Sequence, residues 1–344
     1  MPDSFVRLVL IALMIKSRPG LTFRLGVLLA LAGAGQVFGA PPVPPTYANL
    51  SYGPDALQVM DVWLVPGKTA APCVMNIHGG GWLIGDKSQI QVDGGPAAFV
   101  KEGIAVVSIN YRFLKQTIVD TGSTTGNAPL QPRGDYPTPP VAVPLGDIAR
   151  ALQFIRSRAK EWNIDSLRIG VTGGSAGACS ALWLAFHADM ADPRSDDPVS
   201  RQSTRPWCAA VLAAQTTLDP AQILEWTPNN TYGGHAFGFV WDKSDKTAEI
   251  RSFFKNRESV KAWIAEYSPY ALATKDAPPV YLYYPGGVPE RGVAQKDPVH
   301  SANYGALLVE KLDQLGVDYE FVHRGVVAPR FRNITEYLIN RLKQ

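Results

Sequence analysis

The sequence predicts an α/β protein built on a mostly parallel sheet with helices on both faces. Three observations predict it. Short β-type apolar runs alternate with stretches of helical spacing from about residue 57 to residue 323, the pattern of helices crossing over a parallel sheet. Two of those runs end in glycine-rich turns, His78-Gly79-Gly80-Gly81-Trp82 and Gly173-Gly174-Ser175-Ala176-Gly177. Finally, 344 residues with 46% apolar and 18% charged content and no internal repeat suit one large globular domain or two small ones.

Taken in order, Leu57 to Val65 alternates as a strand, with Val59, Asp61 and Trp63 on one face. Cys73 to Ile77 is a short buried strand ending at His78. Ala97 to Glu102 reads as a helix feeding the strand Ile104 to Ile109. Asp147 then opens a helix striped by Ile148, Leu152 and Ile155 and ending near Trp162. Leu167 to Thr172 is the strand before Ser175, and Ala178 to Phe186 the helix after it. Val211 to Ala214 and Val280 to Tyr284 are further strands. A helix striped by Leu308, Leu312 and Leu315 closes at Gly316 and leads into the strand Val317 to His323. Two stretches, residues 113–144 and 229–239, fit no regular element and are expected as insertion loops. Long loops on such a scaffold tend to border a binding site.

The first 39 residues differ from the rest. Arg18 and Arg24 precede the apolar run Leu25 to Ala34, and Val37 and Gly39 are the small residues a signal peptidase needs before Ala40. A secretory signal over 1–39 is expected, with Met14 an alternative start and a retained N-terminal anchor the competing reading. A Pro-rich linker, 40–46, then leads into a domain over 47–344. Arg7, Lys16, Arg18 and Arg24 against Asp3 carry the chain's net charge of +3, so the remainder is balanced. Nothing in that balance points to nucleic acid. The three cysteines, Cys73, Cys179 and Cys208, lie in or beside apolar runs, too few for a disulfide framework. No CxxC or HExxH occurs, so neither a metal nor a cofactor is expected.

A GxSxG pattern alone is weak, but here a buried strand precedes it and a helix of small residues follows. On a strand–turn–helix joint the serine occupies a sharp bend with its hydroxyl above the sheet's C-terminal edge. The next amide, on Ala176, lies at the positive end of the helix. Upstream, adjacent glycines after His78 let backbone amides turn toward one point. Such donors stabilise an oxyanion by about 3–4 kcal/mol each.

HGGGW, Gly85-Asp86-Lys87, Tyr111-Arg112, Asp147 and GGSAG, in this order, resemble the α/β-hydrolase superfamily. The nearest branch is the secreted esterases of the acetyl-xylan and feruloyl esterase type, related to hormone-sensitive lipase. The likeness covers roughly residues 47 to 323. It implies the α/β-hydrolase fold, Ser175 as nucleophile, amides of Gly80, Gly81 and Ala176 as the oxyanion hole, and His78 as support for its loop. The implied substrate is a small-molecule or carbohydrate-linked ester; no oligomeric state follows.

One part of the pattern is missing. A serine hydroxyl needs a base, and in the superfamily a histidine in the loop after the last strand provides it. Here that loop, "RGVVAPRFR" from Arg324 to Arg332, has none. Of the five histidines, His187 reads as structural and His235 sits in the glycine-rich insertion. His323, at the end of the last strand, is expected as a displaced base; His300, at the start of the preceding helix, has a similar claim. For the acid, Gly287-Val288-Pro289-Glu290 imitates the family's G-x-x-D, and Asp297-Pro298-Val299 its D-P-x-V, so Glu290 and Asp297 both stand. Two functions remain open on this reading. One is a secreted serine hydrolase of carboxylic esters working through a Ser175 acyl-enzyme. The other is a hydrolase-fold protein that binds a ligand with impaired catalysis.

Overall fold

The computed structural model describes residues 43–114, 138–239, 245 and 247–344. The expected signal segment, most of the 113–144 insertion and the start of the Pro-rich linker lie outside the described residues.

Eight strands form one sheet: β1 (Tyr47–Ser51), β2 (Val59–Trp63), β3 (Ala71–Ile77), β4 (Ala105–Ile109), β5 (Ile164–Gly174), β6 (Cys208–Leu212), β7 (Val280–Tyr284) and β8 (Tyr319–His323). Their spatial order is β1-β2-β4-β3-β5-β6-β7-β8. β2 runs antiparallel to both neighbours, and the pairs from β4 through β8 are parallel. Every residue of β3 and β4 is buried, as continuous apolar runs covered on both faces must be.

The helices that position the site are α1 (Gly95–Val100), α2 (Ala142–Ser157), α3 (Ala176–Phe186), α4 (Pro220–Trp226), α5 (Ala248–Lys255), α6 (Asn303–Leu315) and α7 (Ile334–Leu342). They bury two apolar layers. One holds Met75, Ile77, Val171, Leu152 and Leu182; the other holds Val74, Val106, Tyr281, Tyr337 and Leu338. This is the α/β-hydrolase architecture that the sequence resemblance implied.

Several boundaries differ from expectation for identifiable reasons. The helix expected to open at Asp147 begins at Ala142, and Asp147 lies buried in its second turn. There Asp147 accepts from the Arg112 backbone and guanidinium at 2.7–3.0 Å and from Gln58 Nε2 at 2.8 Å. A carboxylate that resembled a helix cap is instead an internal anchor for the Tyr111-Arg112 segment. Edge strand β1 is mostly exposed, so it lacked the apolar alternation that marks a half-buried strand. The 229–239 insertion is not a polar surface loop. It contains a tight turn over Gly234–Phe237, and Phe237 and Phe239 are fully buried.

The chain reverses its direction of travel across the sheet between β3 and β5, which are neighbours although β4 intervenes in sequence. Ligands of open α/β sheets bind beyond the strand ends at such a switch point. β3 ends at the His78 loop and β5 at Ser175.

Candidate active site

Ser175 joins β5 to α3 with φ 54° and ψ −123°. A non-glycine residue there is strained by about 1–3 kcal/mol, and the surroundings over-determine it. The Ser175 amide donates to Leu212 O at 3.0 Å, and its carbonyl accepts from the Cys179 amide at 2.9 Å. The flanking glycines serve space rather than torsion. Neither Gly173 nor Gly177 has positive φ, but a Cβ on either would lie 2.2–2.5 Å from Ile77 O. The serine carries the strain while the glycines let α3 and the end of β3 close against the turn.

The His78 loop is pinned from below. Trp82, fully buried, donates from Nε1 to Ser180 Oγ at 2.9 Å, which in turn donates to Ala176 O. The His78 ring stacks on Tyr111 at 4.2 Å, and the Tyr111 hydroxyl donates to His78 O at 2.8 Å. Burial lowers the His78 imidazole below its ordinary pKa. Its Nδ1 lies 2.8 Å from Gly79 O, and the ring belongs to the loop. Gly80 (φ 100°) and Gly81 (φ 62°) turn left-handed above it. Their amides donate to no group among the described residues. The Ala176 amide, first in its helix, has no intrahelical acceptor. Gly79 packs against the serine, since a Cβ built there would lie 3.4 Å from Ser175 Cβ.

The imidazole that reaches the serine belongs to His300, not His323. His300 Nε2 lies 3.0 Å from Ser175 Oγ, and His300 Nδ1 lies 2.9 Å from Asp297 Oδ2. Geometry explains the correction. β8 stands three places from β5 in the sheet, about 14 Å at the usual strand spacing. His323 stays at that edge, its Nδ1 2.9 Å from Arg324 O and its ring against Phe321. His300 instead comes from the long segment after β7, which runs back across the strand ends toward β5. Glu290 is also displaced from the expected role. Its side chain is exposed, and it is its backbone that bonds Asn303.

Acid and imidazole thus come from one four-residue stretch, Asp297-Pro298-Val299-His300. The His300 hydrogen bond holds the Asp297 carboxyl below the usual carboxylate range, against the opposing effect of partial burial. Both intervening carbonyls are clamped: Asn230 Nδ2 donates to Pro298 O and Gln215 Nε2 to Val299 O, each at 2.8 Å. Sequence reading missed Gln215 and Asn230 as site residues, and only Asn230's place in the polar-aromatic insertion hinted at it. His187 bonds Glu266 at 2.9 Å, away from the serine's partners.

The family model BD-FAE matches residues 60–121 and 138–286, more than half of the sequence. The chain belongs to the BD-FAE family. The match to BD-FAE includes the His78 loop and the serine turn and stops before Asp297 and His300, which lie beyond the matched region. Among curated proteins it is 29% identical over 147 residues to Esterase LipQ of Mycobacterium tuberculosis, covering 41% of this chain and 29% of that protein. It is 25% identical over 198 residues to Fumonisin B1 esterase of Sphingopyxis macrogoltabida, covering 49% of this chain and 34% of that protein. The aligned region thus spans about a third or less of these relatives' own length.

Solved structures of the same fold include a truncated carbohydrate esterase from gut microbiota, at TM-score 0.57 and 16% identity, covering 88% of this chain and 99% of that one. An acetyl ester-xyloside bifunctional hydrolase of Caldicellulosiruptor lactoaceticus aligns at TM-score 0.54 and 20% identity, covering 83% and 87%.

Proposed function

We propose that this chain is a serine esterase that hydrolyses carboxylic esters through a Ser175 acyl-enzyme. The observation that carries the reading is the relay from Ser175 Oγ to His300 Nε2 and from His300 Nδ1 to Asp297 Oδ2, at 3.0 and 2.9 Å. Both distances fall within direct proton-transfer reach.

In this mechanism His300 removes the hydroxyl proton as Oγ attacks the acyl carbon. Asp297 holds the imidazole in the tautomer with Nδ1 protonated and stabilises the imidazolium that forms. Negative charge on the former carbonyl oxygen is met by the free amides of Gly80, Gly81 and Ala176. His300 then delivers its proton to the departing alcohol oxygen, leaving the acyl group on Ser175. Water attacks that ester with His300 again as base, releasing the acid and restoring the hydroxyl. Family membership and the esterase relatives support the same chemistry. A ligand-binding protein without turnover has no need of a closed relay.

A serine-directed phosphonate should label Ser175 stoichiometrically, and Ser175→Ala should abolish both labelling and turnover of short p-nitrophenyl esters. A folded protein that resists labelling would return it to the ligand-binding reading. The protein is also proposed to be exported, on the charge and apolar pattern before Ala40. The N-terminus isolated from the native host should then begin near Ala40; an intact Met1 or Met14 on intracellular protein contradicts export.

A further inference from the structure

The loop after β8, Arg324 to Arg332, holds three arginines and no acid. With the end of β7 it frames a cleft of about 370 Å³, within the size range of small-ligand sites. None of the residues lining it belongs to the serine turn, the His78 loop or the Asp297–His300 stretch. The loop is fixed at both ends. Gly325 turns left-handed at φ 98°, and the Val326 amide donates to His323 O at 3.1 Å. At the far end Tyr281 Oη donates to the carbonyl of buried Phe331 at 3.1 Å.

The lining has two parts. Pro285, Val322, Val326 and Pro329 make it apolar on one side. Tyr283, Arg324 and Arg332 add hydrogen-bond donors, and no carboxylate lines the cleft. The remaining titratable neighbour, His323, is never negative in either protonation state. The Tyr283 hydroxyl and the Arg324 guanidinium bond to nothing among the described residues. Glu336 accepts from the Arg332 amide at 2.9 Å and from its Nε at 3.0 Å, which leaves both terminal nitrogens of that guanidinium open. A guanidinium fork matches the two oxygens of a carboxylate. The apolar side favours a ligand with a hydrocarbon body, since each methylene withdrawn from water adds affinity. Charge and apolar surface together therefore select an anion that carries a chain.

We propose that this cleft binds a small aliphatic carboxylate at a site separate from Ser175, with its head on Arg324, Arg332 and Tyr283 and its chain on the apolar side. The acid that an ester hydrolase releases is of this class, so on the Ser175 reading the reaction's own product fits the cleft. Binding itself does not depend on that reading.

Calorimetric titration of the full chain with hexanoate tests it. Hexanamide supplies the chain without the charge, and inorganic phosphate the charge without the chain. Hexanoate should bind at least about ten-fold more tightly than either, and equally before and after phosphonate treatment of Ser175. Arg324→Gln should weaken hexanoate about ten-fold while leaving hexanamide binding and ester turnover unchanged. Val326→Asp, which sets a carboxylate in the cleft, should abolish hexanoate binding and serves as the second variant. The proposal is overturned if hexanoate does not bind, if hexanamide or phosphate matches it, or if Arg324→Gln leaves its affinity unaltered. Loss of binding on phosphonate treatment would put the ligand at Ser175 and overturns it as well. Full turnover in Ser175→Ala would sink the esterase mechanism and leave this site standing.

Discussion

The two halves of the candidate site are built differently. The half proposed to hold the nucleophile and oxyanion hole stands on the ends of β3 and β5, in the middle of the sheet, and its supports Trp82, His78 and Tyr111 are fully buried. Its geometry is set by close backbone packing and by hydrogen bonds deep in the core. The half proposed to supply acid and base lies on the segment between β7 and α6, where the Asp297 side chain is 60% exposed and that of His300 34%. No strand fixes that segment. It holds its shape through the three-residue spacing of Asp297 and His300 and through two side chains, Asn230 and Gln215, that reach in from the region between β6 and α5. A site can thus combine a rigid scaffold with a loop located by hydrogen bonds from a neighbouring segment, among them the Asn229–Gln295 pair as well as the Asn230 and Gln215 clamps.

The sharpest test of that division concerns the two histidines. His300→Ala should lower kcat by about four orders of magnitude or more, as loss of a triad member does. His323→Ala should leave kcat within a few-fold of wild type, because its ring contacts Arg324 O and Phe321 at the sheet edge. Steady-state kinetics on one ester decides it. A large loss in His323→Ala, or activity retained in His300→Ala, would dissolve the relay.

The same division governs what could be read from the sequence. The strand alternation, the serine turn and the oxyanion loop were legible because each depends on local requirements. A buried parallel strand demands an unbroken apolar run, and Gly173 and Gly177 are demanded because a Cβ on either would meet Ile77 O within 2.5 Å. The proposed base was not legible in this way. His300 meets Ser175 across 125 positions of sequence, and nothing local to "DPVH" distinguishes a residue that crosses the sheet from a solvated loop residue. Position within the fold suggested His323, but that residue still belongs to edge strand β8, where its ring packs on Phe321 and bonds Arg324 O instead of reaching over the sheet from the following loop. Asp297 carried a partial signal through its place before the helix. Gln215 carried none, since its contact with the loop is a bond to a main-chain oxygen, Val299 O, 84 positions away.

Gln215 therefore gives the finest test of how the loop half is held. Its Nε2 donates to Val299 O at 2.8 Å and, more weakly, to Ala213 O at 3.4 Å, while its Oε1 is buried and has no partner among the described residues. Gln215→Met keeps the volume and removes two opposing contributions together. Losing the bond costs about 0.5–1.5 kcal/mol, and removing an unsatisfied buried acceptor returns a similar amount. The melting temperature should consequently change little. The carbonyl between acid and imidazole is nevertheless released, leaving Asn230 as the remaining clamp on this stretch. Small misplacement of a catalytic group costs rate rather than binding, because the reacting geometry is needed only in the transition state. The expected outcome is a roughly ten-fold lower kcat, a KM within two-fold of wild type and unaltered cooperativity of unfolding. An unchanged kcat would mean that Asn230 and the Asp297–His300 contact alone hold the loop. A joint fall in kcat and melting temperature would mean that Gln215 supports the fold instead of positioning the base.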